Sequence, residues 1–66
     1  MQLIINGEPQ DVPAGTTVAA VVAARTAAGA AVAVAVNETF VPRGRYAQTE
    51  LNEGDQLELV GPMAGG

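Results

Sequence analysis

The chain ends Gly61-Pro62-Met63-Ala64-Gly65-Gly66, and it contains no Cys, His, Lys or Ser. The usual side-chain nucleophiles and the one side chain that titrates near neutrality are therefore missing. By elimination, the group best placed to react is the carboxylate of Gly66. A terminal carboxylate is ionised at neutral pH and is a poor electrophile. Attack on it requires that a leaving group be installed first. Gly65 and Gly66 have no Cβ, so this end can thread a narrow cleft and take backbone angles closed to other residues. Six residues from Gly61 onward, fully extended, reach about 20 Å, enough to enter another protein's active site while the domain stays outside. Ala64 and Met63 would line that passage, Met63 as an adaptable apolar anchor. The plain alternative is a glycine-rich terminus without a role.

The rest of the chain offers little competing chemistry. No carboxylate pair reads as an acid/base dyad and no nucleotide-binding loop is present, so the chain is not expected to be an enzyme or to carry catalytic residues of its own. Without Cys or His there is no disulfide framework and no structural zinc, so no metal site is expected. Seven acids against three Arg give a net charge of −4. Arg25, Arg43 and Arg45 are too few to build a phosphate-binding face, which argues against nucleic acid and against an anionic membrane surface. The stretch from Val18 to Val36 is mostly Ala and Val, but Arg25, Thr26 and Gly29 interrupt it and its halves have different periods. It reads as two separate elements rather than a membrane span. With no signal-peptide pattern at the start, the expected location is cytoplasmic.

Sixty-six residues make one domain near the lower size limit for a single unstapled core. The core is expected from about a dozen Val, Leu, Ile and Phe side chains, Phe40 among them. Met1 to Ile5 alternates, with Leu3 and Ile5 on one face, and reads as a strand. Asn6-Gly7 is a strong two-residue hairpin signal, and Glu8 to Val12 is the return strand, with Pro9 tolerated near an edge. Thr16 or Thr17 can cap a helix whose stripe is Val18, Val21, Val22 and Arg25, with Gly29 as its stop. Ala31 to Val36 alternates strictly, giving a bulky valine face and a thin alanine face. Asn37-Glu38 predicts a turn, Thr39 to Val41 a short strand stopped by Pro42, and Arg43 to Gln48 an irregular segment or single helical turn. Asn52 to Asp55 is a turn cluster, and Gln56 to Val60 is the last strand. The predicted architecture is α+β: a mixed sheet of four to five strands with one helix across one face, the first and last strands parallel at its centre. That is a β-grasp arrangement, with residues 1–60 as the domain and 61–66 as a flexible tail.

Met1-Gln2-Leu3-Ile4-Ile5-Asn6-Gly7-Glu8, the Val41-Pro42-Arg43 turn, Leu51-Asn52-Glu53-Gly54-Asp55 before a Leu-Glu-Leu-Val strand, and Gly65-Gly66 together resemble the sulfur carrier family of thiamine biosynthesis, in the ubiquitin-like β-grasp group. The resemblance covers the whole chain. It implies that an adenylating enzyme of the ubiquitin-activating type uses ATP, with magnesium, to activate the Gly66 carboxylate as an acyl-adenylate. Sulfur from a persulfide donor then displaces AMP to leave a thiocarboxylate, which thiazole synthase draws into the thiazole ring. No cofactor is expected to be bound by the carrier itself. The same tail chemistry serves the small subunit of molybdopterin synthase, and a ubiquitin-like protein tag would also end in a diglycine; a plain interaction module is a further alternative.

Partner docking on the sheet is expected to involve Ile4, Ala31, Ala33 and Ala35 on an exposed face, the alternative being a thinly covered solvent face. Arg43 and Arg45 read as a solvated loop, with Arg43 a secondary candidate for partner contact. Glu50, Glu53, Asp55 and Glu58 make the C-terminal third acidic, which suits solubility or steering toward a basic partner.

Overall fold

The computed structural model describes residues 1–26 and 32–61. Its elements are β1 (Gln2–Ile5), β2 (Glu8–Asp11), α1 (Val18–Arg25), β3 (Ala33–Val36), β4 (Thr39–Val41), a 3-10 helix (Arg43–Gln48) and β5 (Gln56–Val60). The five strands form one mixed sheet in the order β2-β1-β5-β3-β4. β1 and β5 are parallel, and every other neighbouring pair is antiparallel. The expected β-grasp topology, with the first and last strands side by side at the centre, is what the chain adopts.

Two turns fix the hairpins. Asn6 and Gly7 have φ of 51° and 83°, the doubly left-handed pairing that matches the twist of the flanking strands. Asn37 and Glu38 repeat it with φ of 50° and 69°. Glu38 carries a Cβ where the first hairpin has glycine, so this turn holds a conformation disfavoured for L side chains. Replacing it, Glu38→Gly, is expected to stabilise the protein by about 1 kcal/mol, the relief of that strain net of glycine's greater unfolded-state entropy. In a domain of this length, that raises the thermal midpoint by about 4–8 °C, readable by circular dichroism.

The helix begins where the sequence allows two caps and uses the second. Thr17 is extended (φ −100°, ψ 167°), and its hydroxyl accepts from the Ala20 amide. Thr16 instead donates its hydroxyl to the Pro13 carbonyl, bracing the turn before the helix. Val18 and Val21 are buried and Val22 is half-buried, whereas Arg25, on the same predicted stripe, is exposed. The helix stops at Arg25, earlier than a Gly29 stop predicts. Thr26 turns extended, and both its backbone amide and its hydroxyl donate to the Val22 carbonyl. A β-branched residue with a hydroxyl thus satisfies a terminal carbonyl and ends the helix without glycine. Gly29 lies outside the described residues.

The core collects on the helix side of the sheet: Leu3, Ile5, Val18, Val21, Val34, Val41, Tyr46, Leu51 and Leu57. The valine face of β3 behaves as its period predicts, with Val34 buried and Val32 and Val36 packed against the core. Phe40 does not join it. Its ring is 65% exposed, because Val41 pairs with Val34 on the covered face and alternation turns the neighbouring Phe40 to the opposite face. Tyr46 is the buried aromatic, and its hydroxyl donates to the Val32 carbonyl at 3.0 Å. The segment Arg43–Gln48, irregular or a single turn by sequence, is a 3-10 helix of six residues.

The Leu51-Asn52-Glu53-Gly54-Asp55 segment fastens the centre of the sheet. Gly54 takes φ of 82° and donates its amide to the Gln2 carbonyl at 2.7 Å. The Glu53 carboxylate accepts from the Gln2 amide. The Asp55 carbonyl accepts from the Ile4 amide, while its carboxylate closes the turn onto the Asn52 amide. Each polar residue of the motif therefore has a backbone group to satisfy.

Candidate functional site

The C-terminal segment singled out by sequence follows directly from a central strand. β5 lies between β1 and β3 and runs to Val60, with Gly61 next. Two asparagines extend its hydrogen bonding beyond the ladders. Asn6, in the first hairpin turn, donates its backbone amide to the Leu57 carbonyl. Its side-chain Oδ1 accepts from the Leu59 amide at 2.9 Å, and its Nδ2 donates to the Leu59 carbonyl at 3.4 Å. On the other side, Asn37 donates its backbone amide to the Gln56 carbonyl at 2.7 Å. The Asn37 Oδ1 accepts from the Gln56 amide, and its Nδ2 donates to the Asp55 carboxylate. A side-chain amide carries the same donor and acceptor as a peptide group, so each asparagine acts as an added ladder rung. β5 is thus held from both flanks, and the direction in which the chain leaves at Gly61 is fixed by rigid structure.

Gly66, Gly65, Ala64 and Met63 lie outside the described residues, as does Ala31. Of the sheet-face residues singled out by sequence, the structure brings Ile4, Ala33 and Ala35 onto one face, opposite the helix. Ala33 is exposed, and Ile4 and Ala35 are half-buried. Arg43 is exposed but starts the 3-10 helix rather than sitting on one of these strands.

Two apolar residues on this face escaped the sequence reading. Ala35 pairs with Phe40 and Ala33 pairs with Val60, so all four share one side of the sheet. Phe40 is 65% exposed and Val60 61%. Glu58 pairs with Ala35 on the same face, across β3 from Phe40. The alternation of Ala31 to Val36 marks the thin face, but only the pairing register shows that the large apolar side chains of β4 and β5 stand beside it. The result is an exposed apolar patch, rimmed by acid, that adjoins the point where the chain leaves the sheet. Such a patch is a candidate binding surface.

Among the described residues, no group of three or more His, Cys, Asp or Glu side chains is placed to hold a metal ion. No helix among them is long and apolar enough to cross a membrane.

Comparison with known proteins agrees over the full length. Residues 3–66 match the family model described as the ThiS family. The chain is 35% identical over 66 residues to the sulfur carrier protein ThiS of Escherichia coli, covering all of both chains. It is 41% identical over the same 66 residues to a thiazole synthase of Paramagnetospirillum magneticum, and there spans only 20% of the longer relative. Among solved structures, the thiamine biosynthesis protein ThiS of Geobacter metallireducens superposes with a TM-score of 0.81 at 30% identity, covering 100% of each chain. Sequence along the whole chain and topology through the whole sheet give one answer: this chain belongs to the ThiS family of sulfur carriers in thiamine biosynthesis.

Proposed function

We propose that the chain carries sulfur as a thiocarboxylate on Gly66 and delivers it for thiazole formation. The observation that carries this reading is the full-length match to a sulfur carrier protein, in a chain that lacks Cys, His, Lys and Ser and ends in Gly65-Gly66. The identity with a thiazole synthase over all 66 residues supports thiazole synthase as the acceptor.

The chemistry runs in balanced steps. A carboxylate oxygen of Gly66 attacks the α-phosphorus of ATP in an adenylating partner, with magnesium there, and pyrophosphate leaves. The acyl-adenylate is electrophilic, and the terminal sulfur of a persulfide displaces AMP from it. A second thiol then cleaves the resulting S–S bond, is oxidised to a disulfide with the donor thiol, and releases the thiocarboxylate. The carrier contributes position and an unhindered end. Without Cys or Lys it offers no side-chain thiol or amine to capture its own activated terminus. It acts as a substrate of its partners rather than as a catalyst, and the reaction is placed in the cytoplasm.

Docking to the adenylating partner is assigned to the open sheet face, where Phe40 and Val60 supply exposed apolar area beside the start of the tail. Phe40→Glu is expected to lower the partner's kcat/KM for adenylation about 10- to 100-fold, the effect of losing one anchor residue. The thermal midpoint should stay within a few degrees, because the ring contributes little to the core. Pyrophosphate release against carrier concentration measures the first effect and thermal melting the second.

The reaction itself is tested by mixing the chain with the adenylating enzyme, ATP, magnesium and sulfide, then reading intact and fragment masses. Exchange of one oxygen for sulfur at Gly66 is expected. Localisation is essential, because oxidation of Met1 or Met63 adds nearly the same mass. An unchanged terminus in the presence of active enzyme refutes the proposal.

A further inference from the structure

On the covered side of the sheet, α1 does not reach the β1–β2 hairpin edge. A groove of about 370 Å³ is left between them. Its walls are mostly apolar, formed by Val12 and Pro13 on the strand side and Ala20, Val21 and Ala24 on the helix, with Gln10 and Thr16 adding polar groups. Alanine on the helix is what keeps it open, since Ala20 and Ala24 are exposed and too short to fill it. Among the described residues, Arg25 is the only charged one lining it. The same arginine also lines the cleft shared with Asn6 and Gly61, so it marks the groove end nearest the hairpin turn.

The groove runs beside a strand paired on one edge only. β2 is an outer strand of the sheet. Met1 and Val12 exchange both backbone hydrogen bonds, through the chain's amino group and the Val12 amide. In the antiparallel register, Leu3 with Gln10 and Ile5 with Glu8 are the other bonded pairs. The intervening residues, Pro9 and Asp11, therefore point their backbone groups away from β1. Pro9 offers a carbonyl only, and Asp11 offers both amide and carbonyl. Among the described residues, these three backbone groups have no partner.

We propose that this groove is a second docking site, which takes an extended peptide segment of a partner protein as a strand added antiparallel to β2. The partner residue opposite Asp11 exchanges both of its backbone hydrogen bonds. Its two neighbours, opposite Gln10 and Val12, project to the helix side by strand alternation and fill the apolar groove. The expected segment is apolar–any–apolar, followed on its C-terminal side by an acidic residue that meets Arg25. This surface lies on the opposite side of the sheet from Phe40 and Val60, so it stands independently of the assignment of the open face and of the tail chemistry.

The test titrates a capped, soluble peptide into the ¹⁵N-labelled 66-residue chain up to about 1 mM. The peptide has a valine-threonine-valine centre, polar flanks and an aspartate on the C-terminal side. Amide shifts at Asp11, Ala20 and Ala24 are expected, with slowed hydrogen exchange at Asp11. Ala20→Arg, a substitution at an exposed helix position, fills the groove and should weaken binding at least about tenfold with an unchanged melting curve. Replacing the peptide's aspartate by lysine should weaken binding in the parent chain, and Arg25→Gln should remove that preference. Absence of shifts at 1 mM overturns the proposal, as do shifts confined to Ala33, Phe40 and Val60. So does an octanoate control that reproduces the groove shifts while Asp11 stays unchanged, which would assign the groove to an amphiphile. Sulfur loading of Gly66 by the adenylating enzyme should proceed in Ala20→Arg whatever the peptide does, so the two proposals fail separately.

Discussion

A chain shortened by Gly66 alone is expected to keep its fold and to lose the sulfur loading proposed here. The core argument is one of location. The buried side chains among the described residues run from Leu3 to Leu57, and the ladder that holds the central strand runs to Val60, paired with Ala33. Removing a terminal glycine touches none of them, so the thermal midpoint should move by no more than about 1 °C. The carboxylate proposed to react, in contrast, retreats by one residue, about 3.3–3.6 Å along an extended chain. A misplacement of about 1 Å already costs about 100-fold when a reaction depends on held geometry, so loading should fall by at least that factor. Lengthening the chain by one glycine should fail equally, since it displaces the carboxylate in the other direction. Thermal melting together with mass spectrometry of the loading reaction gives both readouts. Loading of the truncated chain at the parent rate would remove the Gly66 carboxylate as the site of reaction and with it the thiocarboxylate proposal.

Local chemistry made much of this fold legible. Asn6-Gly7 could form a doubly left-handed turn at little cost, so the first hairpin was visible in two residues. The alternation of Ala31 to Val36 fixed which side of β3 would face the helix, because a one-residue slip would bury alanine and expose valine. The Leu51 to Asp55 motif read as a turn, but its purpose did not. Its polar groups satisfy Gln2 and Ile4, roughly fifty residues away along the chain, and no local pattern encodes that. Phe40 shows the same limit. An aromatic in a small apolar protein is a natural core residue by composition, yet its side is decided by Val41, which the pairing with Val34 places in the core. The helix end was misjudged because glycine is the stronger general stop signal, whereas Thr26 stopped it first through a side-chain bond to Val22. The edge groups of β2 and the groove beside them follow only from strand order, which the sequence constrained at the centre of the sheet and left open at its rim.

Leu57→Ala should unfold a large part of the population at 25 °C. Leu57 is 1% exposed and sits in the middle of β5, opposite Ile5 on one side and Val36 on the other. Truncation removes three carbons from a site walled by two neighbouring strands and the helix-side core, where the backbone has little freedom to collapse. Such substitutions cost about 2–5 kcal/mol. A domain of this size without disulfide or metal has about 3–5 kcal/mol of stability in total, so the loss is comparable to the whole. Leu59→Ala, two residues on along the same face but only half-buried, should cost nearer 1 kcal/mol. Urea denaturation of the three proteins measures the difference. A Leu57→Ala protein within about 1 kcal/mol of the parent would mean that the centre of the sheet is not where the stability resides. The pair also disciplines the functional assays: Leu57→Ala and the Gly66 deletion should both fail to load sulfur, but only the first should lose its cooperative melt. That contrast separates a carrier that cannot hold its shape from one that holds its shape but presents its carboxylate one residue short.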